Sequence, residues 1–407
     1  MSSGVTNLSP VKSSERYVIL DALRGFALLG ICLANFPEFG LYTFLKPEAA
    51  SSMSTAVADS IARFLLYVFV DGKFYTLFSL LFGIGFSIIL SNAAKKGADG
   101  LRIFYRRMAV LAIVGFLHLM FIWSGDILML YALLGMLLPF YRRVSDRTLL
   151  IWAAVLLIVP VMVDYACEVA DVYLAGKVVA FQEYYCSKYG ITDDNFAYWL
   201  RDADDYEGVF QFLVQGALVR LQEFIDGNRY FKVLGLFLIG FYLGRKRVYA
   251  GLESRKQWLR RIFTLGLCVG LPLSLVYALS AMNGHLFGTA VHSVLYLVSV
   301  YPLGFAYAAG LCLLYLSCRN SSLWKWLAAS GRMALTNYIC QSVTGMLLFY
   351  GIGLGLGAEA GLVYIELVAL AVFACQMVFS RLWLSKFRFG LLEWAWRMLT
   401  YGKWMHI

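Results

Sequence analysis

Long apolar runs separated by short polar segments make up most of the chain. A helix needs about 20 mostly apolar residues to cross the roughly 30 Å hydrocarbon core of a bilayer. The runs therefore predict an all-α polytopic membrane protein with ten membrane-spanning helices. The predicted spans are residues 17–36, 74–94, 108–123, 127–141, 149–166, 230–244, 262–281, 292–316, 333–353 and 362–384.

Residues 57–70 fit this pattern less well, because Asp59 and Arg63 interrupt the apolar run. The segment is either a re-entrant or interfacial helix or one half of a long bent span. Composition supports the membrane assignment, since 61% of the residues are apolar and 15% are charged. Soluble domains have about 45–50% apolar and roughly 25% charged residues. This composition excludes a soluble enzyme, a disordered chain and a nucleic-acid binder.

The positive charges predict the orientation of the helices in the membrane. Six basic clusters contain 25 of the 35 Lys and Arg residues, and with ten spans all six fall on one side of the bilayer. Lys and Arg favour the cytoplasmic side. We therefore expect both termini in the cytoplasm. The clusters are residues 12–16, 95–107, 142–147, 245–261, 319–332 and 381–403.

The same pattern divides the chain into four parts. Residues 1–166 form an N-terminal five-helix half with the candidate active site, and residues 230–385 form a second five-helix half. Between them, residues 167–229 form an outer loop with 11 acidic and five basic residues. We expect short helices there, acting either as a structural cap or as a substrate-gating lid. Residues 386–407 predict a cytoplasmic interfacial helix and tail.

Ionisable side chains within spans are costly and are therefore candidates for a functional site. Asp21 and Arg24 lie on one helix face, where they form either a structural ion pair or an anion site open to the cytoplasm. Asn35 lies about three turns further along a similar face. Lys73, next to Asp71, is either a snorkelling lysine at a turn or part of the mouth of the site.

His118 is the strongest candidate, because its position predicts a site near the middle of the membrane. Asp126 lies eight positions further along the chain, across a short hairpin that also contains Trp123. A histidine at this depth is either a general base with Asp126 beside it or a packing residue. In the ninth span, Asn337, Gln341 and Thr344 form a polar stripe, which either hydrogen-bonds to a neighbouring helix or lines a cavity.

Taken together, these segments resemble the YeiB-like family of bacterial inner-membrane proteins, over nearly the whole chain. The matching segments are LDALRGFALLGI at 20–31 with Asn35, GKF at 72–74, LFSLLFG at 77–83, His118, Trp123, GDIL at 125–128, YA at 131–132, GRMALTNY at 331–338, QS at 341–342, EW at 393–394, WR at 396–397 and LTY at 399–401.

The resemblance implies a distant relationship to the transmembrane acyltransferases. That group uses a cytoplasmic acyl-coenzyme A donor and an acceptor on the opposite side. The catalytic histidine of those enzymes lies in a different local motif, so His118 is chosen by its depth and chemistry. We expect His118, Asp126, Asn35 and Lys73 to be catalytic residues. We expect Arg24, Asp21, Arg106 and Arg107 to bind the donor, and Trp123, Asn337 and Gln341 to bind substrate.

Two other functions remain open. The same cavity would suit a transporter or carrier of a small amphiphile, and a dry bundle would suit a subunit that only binds a partner. We expect no metal, because no cluster of His, Cys and Asp has the spacing of metal ligands. The expected partners are the lipid bilayer, a small acyl donor and acceptor, and a second copy packed through the glycine-rich ninth span. No nucleic acid is expected.

Overall fold

The computed structural model describes residues 17–407, and within that range the chain is entirely helical apart from its connections. The predicted N-terminal basic cluster at residues 12–16 lies outside the described residues. The helices are α1 (Val18–Phe39), α2 (Pro47–Ser51), α3 (Ala56–Phe69), α4 (Lys73–Lys95), α5 (Gly100–Phe121), α6 (Leu128–Gly135), α7 (Asp146–Ala170), α8 (Gly176–Tyr189), α9 (Trp199–Asp202), α10 (Tyr206–Asp226), α11 (Arg229–Arg245), α12 (Lys256–Met282), α13 (Thr289–Ser317), α14 (Ser322–Arg332), α15 (Ala334–Phe349), α16 (Leu362–Lys386) and α17 (Leu391–Tyr401).

Within residues 17–407, seven helical segments are long and apolar enough to cross a membrane. They are Val18–Phe39, Ala56–Lys95, Gly100–Phe121, Asp146–Ala170, Glu253–Met282, Thr289–Ser317 and Leu362–Lys386. The other three predicted spans form shorter helices: α6 has 8 residues, α11 has 17 and α15 has 16. The protein is therefore all-helical, with the helix lengths of a multi-pass membrane protein. Seven of the ten predicted spans have the length that a crossing needs.

The doubtful segment 57–70 is one arm of a bent pair of helices. α3 and α4 together form a 40-residue apolar segment, which bends at Val70, Asp71 and Gly72. Gly72 has a φ of +75°, in the left-handed region that glycine adopts without steric cost. The bend brings Asp71 and Tyr75 to one end of the bundle.

Glycines allow α4 and α11 to pack with their backbones in close contact. A Cβ atom at Gly83 would lie 2.1 Å from the carbonyl oxygen of Phe237, and one at Gly240 would lie 2.1 Å from that of Leu80. Small residues at such positions let helices approach closely inside a membrane. The glycines at the end of the predicted ninth span lie outside any helix, in contrast, because α15 ends at Phe349 and residues 351–361 are not helical.

Residues 167–229 fold mainly as the helices α8, α9 and α10. α10 packs against the hairpin between α5 and α6, where the ring of Phe210 stacks on that of Phe121 at 5.7 Å. From the same helix, Arg220 donates a hydrogen bond to the carbonyl of Ser124 at 3.1 Å and forms an ion pair with Glu38 of α1. α10 therefore holds the hairpin that contains Asp126.

Cys167 and Cys186 are free thiols.

Candidate functional site

A continuous cavity of about 1610 Å³ runs through the helix bundle. At one end, which we call the basic end, it begins beside Tyr17, where α1 starts, and Lys95, where α4 ends. At the other end it reaches Asp71 and the first turn of α11. The cavity is large enough for a substrate of considerable size, since typical small-molecule sites measure about 300–1,000 Å³.

The two ends of the cavity differ in charge. The basic end has seven cationic residues in its lining and two acidic ones, Asp21 and Glu393. The far half has both signs in its lining, because Arg220, Arg229 and Lys232 lie among several carboxylates. The basic end is therefore the part suited to a polyanion. Its cationic residues are Arg24, Lys95, Lys96, Arg107, Arg247, Arg332 and Arg397.

His118 forms the centre of a hydrogen-bonded chain of three side chains. Its Nδ1 atom lies 2.8 Å from Oδ2 of Asp126, and its Nε2 atom lies 2.9 Å from Oγ of Ser342. All three residues are 1% exposed. In the tautomer with the proton on Nδ1, the imidazole donates to the Asp126 carboxylate and its Nε2 atom accepts from the Ser342 hydroxyl. This is the order of roles in a Ser-His-Asp triad.

Two local features and one distant helix hold these side chains in place. α5 ends three residues after His118, and the chain then turns back through the hairpin to α6. Both oxygens of the Asp126 carboxylate are hydrogen-bonded. Oδ2 lies against His118, and Oδ1 accepts from the backbone N–H of Met129 at 2.8 Å, which fixes the carboxylate in the turn. Ser342 comes from α15, 224 positions further along the chain.

Tyr338 contacts both the cavity and the chain of three side chains. It lies one turn before Ser342 on α15, its ring centroid is 5.2 Å from that of His118, and it lines the cavity. His118, Asp126 and Ser342 themselves are not among the lining residues. Tyr338 is therefore the lining residue through which the cavity meets His118.

Comparison with known proteins adds the family. Residues 243–403 match the family described as "Protein of unknown function (DUF418)". The chain is 31% identical to "Uncharacterized protein YxaH" of Bacillus subtilis, over 99% of this chain and 98% of the relative. It is 29% identical to "Uncharacterized protein YeiB" of Escherichia coli, over 95% of this chain and 96% of the relative. The chain belongs to the YeiB-like family.

A further relative is the "Uncharacterized 39.9 kDa protein in amylase 3′region" of Bacillus acidopullulyticus, which is 31% identical over 97% of both chains. No solved structure matches the chain. The sequence match to the YeiB-like family therefore extends over nearly the whole length, as the motifs predicted. The names of these relatives state no reaction.

Several of the segments that resemble the YeiB-like family meet at the cavity. Arg24 and Asp21 line it and form an ion pair with a distance of 2.7 Å between Nη1 and Oδ1. Asn35 lines the cavity further along α1. Arg107 also lines it, with its guanidinium 3.7 Å from the centre of the Trp396 ring. Arg106 points elsewhere and donates a hydrogen bond to the carbonyl of Leu399.

Lys73 does not line the cavity. It is fully buried, its Nζ atom donates to the carbonyl of Tyr67 at 2.6 Å, and it lies over the ring of Tyr277. The residue therefore holds the corner between α3 and α4 together. Trp123 is also absent from the lining, because it packs against the ring of Phe39 at 4.5 Å.

The polar stripe on α15 forms hydrogen bonds with α16. Nδ2 of Asn337 donates to Oγ of Ser380 at 2.9 Å, and Nε2 of Gln341 donates to Oε1 of Gln376 at 2.9 Å. Neither Asn337 nor Gln341 lines the cavity. Of the two interpretations of this stripe, the structure supports hydrogen bonding between helices.

Ser342 and Tyr338 were not predicted as site residues. They follow Gln341 and Asn337 by one position each, so they form a second stripe at i, i+4 on a different face of α15. That spacing was visible in the sequence. The partner of the stripe was not, since nothing local connects α15 with α5.

Glu393 of α17 fixes the first turn of α15. Its carboxylate accepts hydrogen bonds from the backbone N–H of Leu335 and from the hydroxyl of Thr336, at 2.7 and 2.6 Å. Burial raises the pKa of this carboxyl, while the hydrogen bonds from Thr336 act in the opposite direction. α17 therefore lines the basic end and anchors the helix that carries Ser342.

Proposed function

We propose that this protein transfers an acyl group from a cytoplasmic acyl-coenzyme A to an acceptor hydroxyl or amine, on a sugar or lipid, at the outer side of the membrane. The observation that carries the proposal is the hydrogen-bonded chain Asp126–His118–Ser342, which contacts Tyr338 in the lining of a cavity with a strongly basic end. Acyl transfer needs a nucleophile, a base and a route for both substrates. Each has a counterpart here.

The proposal includes a topology of ten crossings in the bacterial inner membrane, with both termini and the basic end in the cytoplasm. The helices α6, α11 and α15 are short for a crossing, but α11 is largely buried among other helices. Helices inside a bundle need not match the bilayer, because protein rather than lipid surrounds them. In this arrangement α8, α9 and α10 cover the outer mouth.

The basic end suits the phosphates of coenzyme A. Arg24 and Arg107 lie in its lining with five other cationic residues, against two acidic ones. Phosphates bind well to guanidinium groups, which offer two parallel N–H donors. The thioester would then extend along the cavity toward Tyr338. Arg106 lies outside the cavity and has no role in this arrangement.

In the first step, the Ser342 hydroxyl attacks the thioester carbonyl and transfers its proton to Nε2 of His118. Asp126 stabilises the resulting imidazolium. The C–S bond breaks, and the proton passes from His118 to the departing thiolate of coenzyme A. In the second step, His118 takes a proton from the acceptor, whose oxygen or nitrogen attacks the acyl carbonyl. The bond between that carbonyl carbon and Oγ of Ser342 breaks, and His118 returns the proton to Oγ, which restores the free serine. Asn35 lines the cavity as a donor toward the oxyanion, whereas Lys73 is bonded elsewhere.

The decisive experiment is to trap the acyl-enzyme. Purified protein would be incubated with radiolabelled acetyl- and longer acyl-coenzyme A without acceptor, and the label located by peptide mass spectrometry. We expect label on Ser342 and none in Ser342→Ala. Ser380→Ala is the matched control, because Ser380 is an equally buried serine on α16. Label that persists in Ser342→Ala, or no label and no coenzyme A release with any donor, would overturn the proposal.

A carrier of a small amphiphile is the second candidate, because the cavity is lined by residues from both ends of the bundle. The two functions differ in the fate of the donor. A carrier in proteoliposomes returns a labelled amphiphile unchanged on the other side. An acyltransferase breaks its thioester bond.

A further inference from the structure

The far half of the cavity contains a cluster of charges that the proposed reaction has not used. Four half-buried carboxylates line this half: Glu38, Asp71, Asp164 and Glu223. Each is bonded within the protein. Glu38 and Glu223 pair with Arg220, Asp71 accepts from the Tyr277 hydroxyl, and Asp164 accepts from Asn228 and Ser293.

The two cations beside them are not bonded in this way. Arg229 and Lys232 lie one turn apart at the start of α11, and both line the cavity. Among residues 17–407, no hydrogen bond or ion pair reaches their side-chain nitrogens. Lys232 is 9% exposed, and its ammonium lies 4.1 Å from the centre of the Tyr296 ring. A buried charge without such a partner is costly.

We propose that Arg229 and Lys232 form a binding site for the phosphate group of the acceptor. The acceptor would carry its phosphate at the outer side and present its hydroxyl or amine toward Ser342. This identity of the ligand rests on the proposed acyl transfer, whereas the anion site itself rests only on the charges and their burial.

The number of donors favours phosphate. A guanidinium has five N–H donors and an ammonium three, which is more than a carboxylate with about four acceptor positions takes up. A phosphate has more oxygens to receive them. The neighbouring carboxylates already have partners, so the incoming anion would be the one group that completes Arg229 and Lys232. Two sources supply this chemistry: a phospholipid headgroup and a soluble phosphomonoester.

Titration calorimetry on the purified full chain would test the site with dihexanoyl phosphatidylglycerol and, separately, sn-glycerol 3-phosphate. We expect at least one probe to bind wild type. Its Kd should rise at least about tenfold in Lys232→Met and in Arg229→Gln, since each change removes a charge-assisted hydrogen bond. Lys232→Arg keeps the charge and should bind within a few-fold of wild type. Lys177→Met is the matched control, because it removes an exposed outer-loop lysine outside the cavity.

Binding of the lipid probe alone would identify a headgroup as the ligand, and binding of glycerol phosphate would identify a soluble acceptor. Failure of both probes to bind wild type, or an unchanged Kd in Lys232→Met and Arg229→Gln, would overturn the site. Acylation of Ser342 measured in the same preparations separates the two proposals. Anion binding that depends on Lys232 without acylation would leave the site standing and refute acyl transfer.

Discussion

Two neighbouring faces of α15 carry buried polar side chains, and the two faces have different partners. Asn337 and Gln341 bond to Ser380 and Gln376 of α16. Ser342, one position further along, bonds to His118 of α5. The first face joins two helices by bonds between uncharged groups. The second ends in a histidine and a carboxylate next to a cavity. Depth in the membrane is therefore a poor guide to function until the partner is known.

The largest effect that would separate the two faces is on turnover. Ser342→Ala should lower acyl transfer by a factor of at least about 10³, as expected when one member of a cooperating triad is lost. Ser380→Ala, on the other face, should stay within a few-fold of wild type. Release of free coenzyme A from an acyl-coenzyme A measures both. Equal losses in the two variants would mean that both serines act through structure.

The next largest effect concerns the orientation of His118. Asp126→Asn keeps the size of the side chain but places an uncharged amide beside His118. In the proposed mechanism that position holds a carboxylate, which stabilises the His118 imidazolium. We expect a loss of about 10²–10⁴ in turnover, with donor binding retained. Thermal shift with and without acyl-coenzyme A checks the binding. Full activity in this variant would contradict the role assigned to Asp126.

The face toward α16 should show its importance in stability instead. Gln341→Leu removes the hydrogen bond that Oε1 of Gln376 accepts. Leaving that buried oxygen without a donor should lower the free energy of unfolding by about 1–3 kcal/mol. The double change Gln341→Leu with Gln376→Leu should recover part of that loss, because two apolar groups then face each other. Unfolding by denaturant in detergent compares the variants. A large loss of turnover in a stable double variant would count against the distinction between the faces.

The smallest effect is a dependence on pH at Glu393, which anchors both faces through the first turn of α15. The folded protein raises the pKa of this carboxyl, so the native state binds the proton more tightly than the unfolded chain does. The stability due to this group is complete below the ordinary pKa of 4.5 and is lost as the pH rises through the folded value. Glu393→Gln should therefore weaken the decline of Tm with rising pH. An identical profile in both proteins would contradict this.

The sequence predicts the all-helical class well, because the length of the apolar runs is the main signal for membrane-spanning helices. α1, α5, α7, α12, α13 and α16 have such lengths and were predicted. α14 was missed, since its 11 residues are too few for a span, yet Trp324 is 2% exposed within the bundle. Length alone does not distinguish a short helix buried among other helices from a connection.

For the candidate site, the local part was predictable and the distant part was not. His118 and Asp126 lie on two sides of one hairpin, and the structure joins them by a hydrogen bond. Ser342 arrives from the other half of the chain. Lys73 shows the opposite case: it neighbours Asp71 in sequence, but the left-handed turn at Gly72 precedes a helix whose first side chain is buried against Tyr67.

The position of Tyr338 bears on how a cell would conserve its acyl donor. An acyl-serine in contact with water is lost to hydrolysis, and each loss consumes one activated thioester for nothing. Ser342 is 1% exposed and lies one turn after Tyr338, whose ring contacts that of His118. Under the proposed mechanism, an acyl-serine at this buried position would be shielded from water until an acceptor arrived, so the donor could be loaded before the second substrate is present.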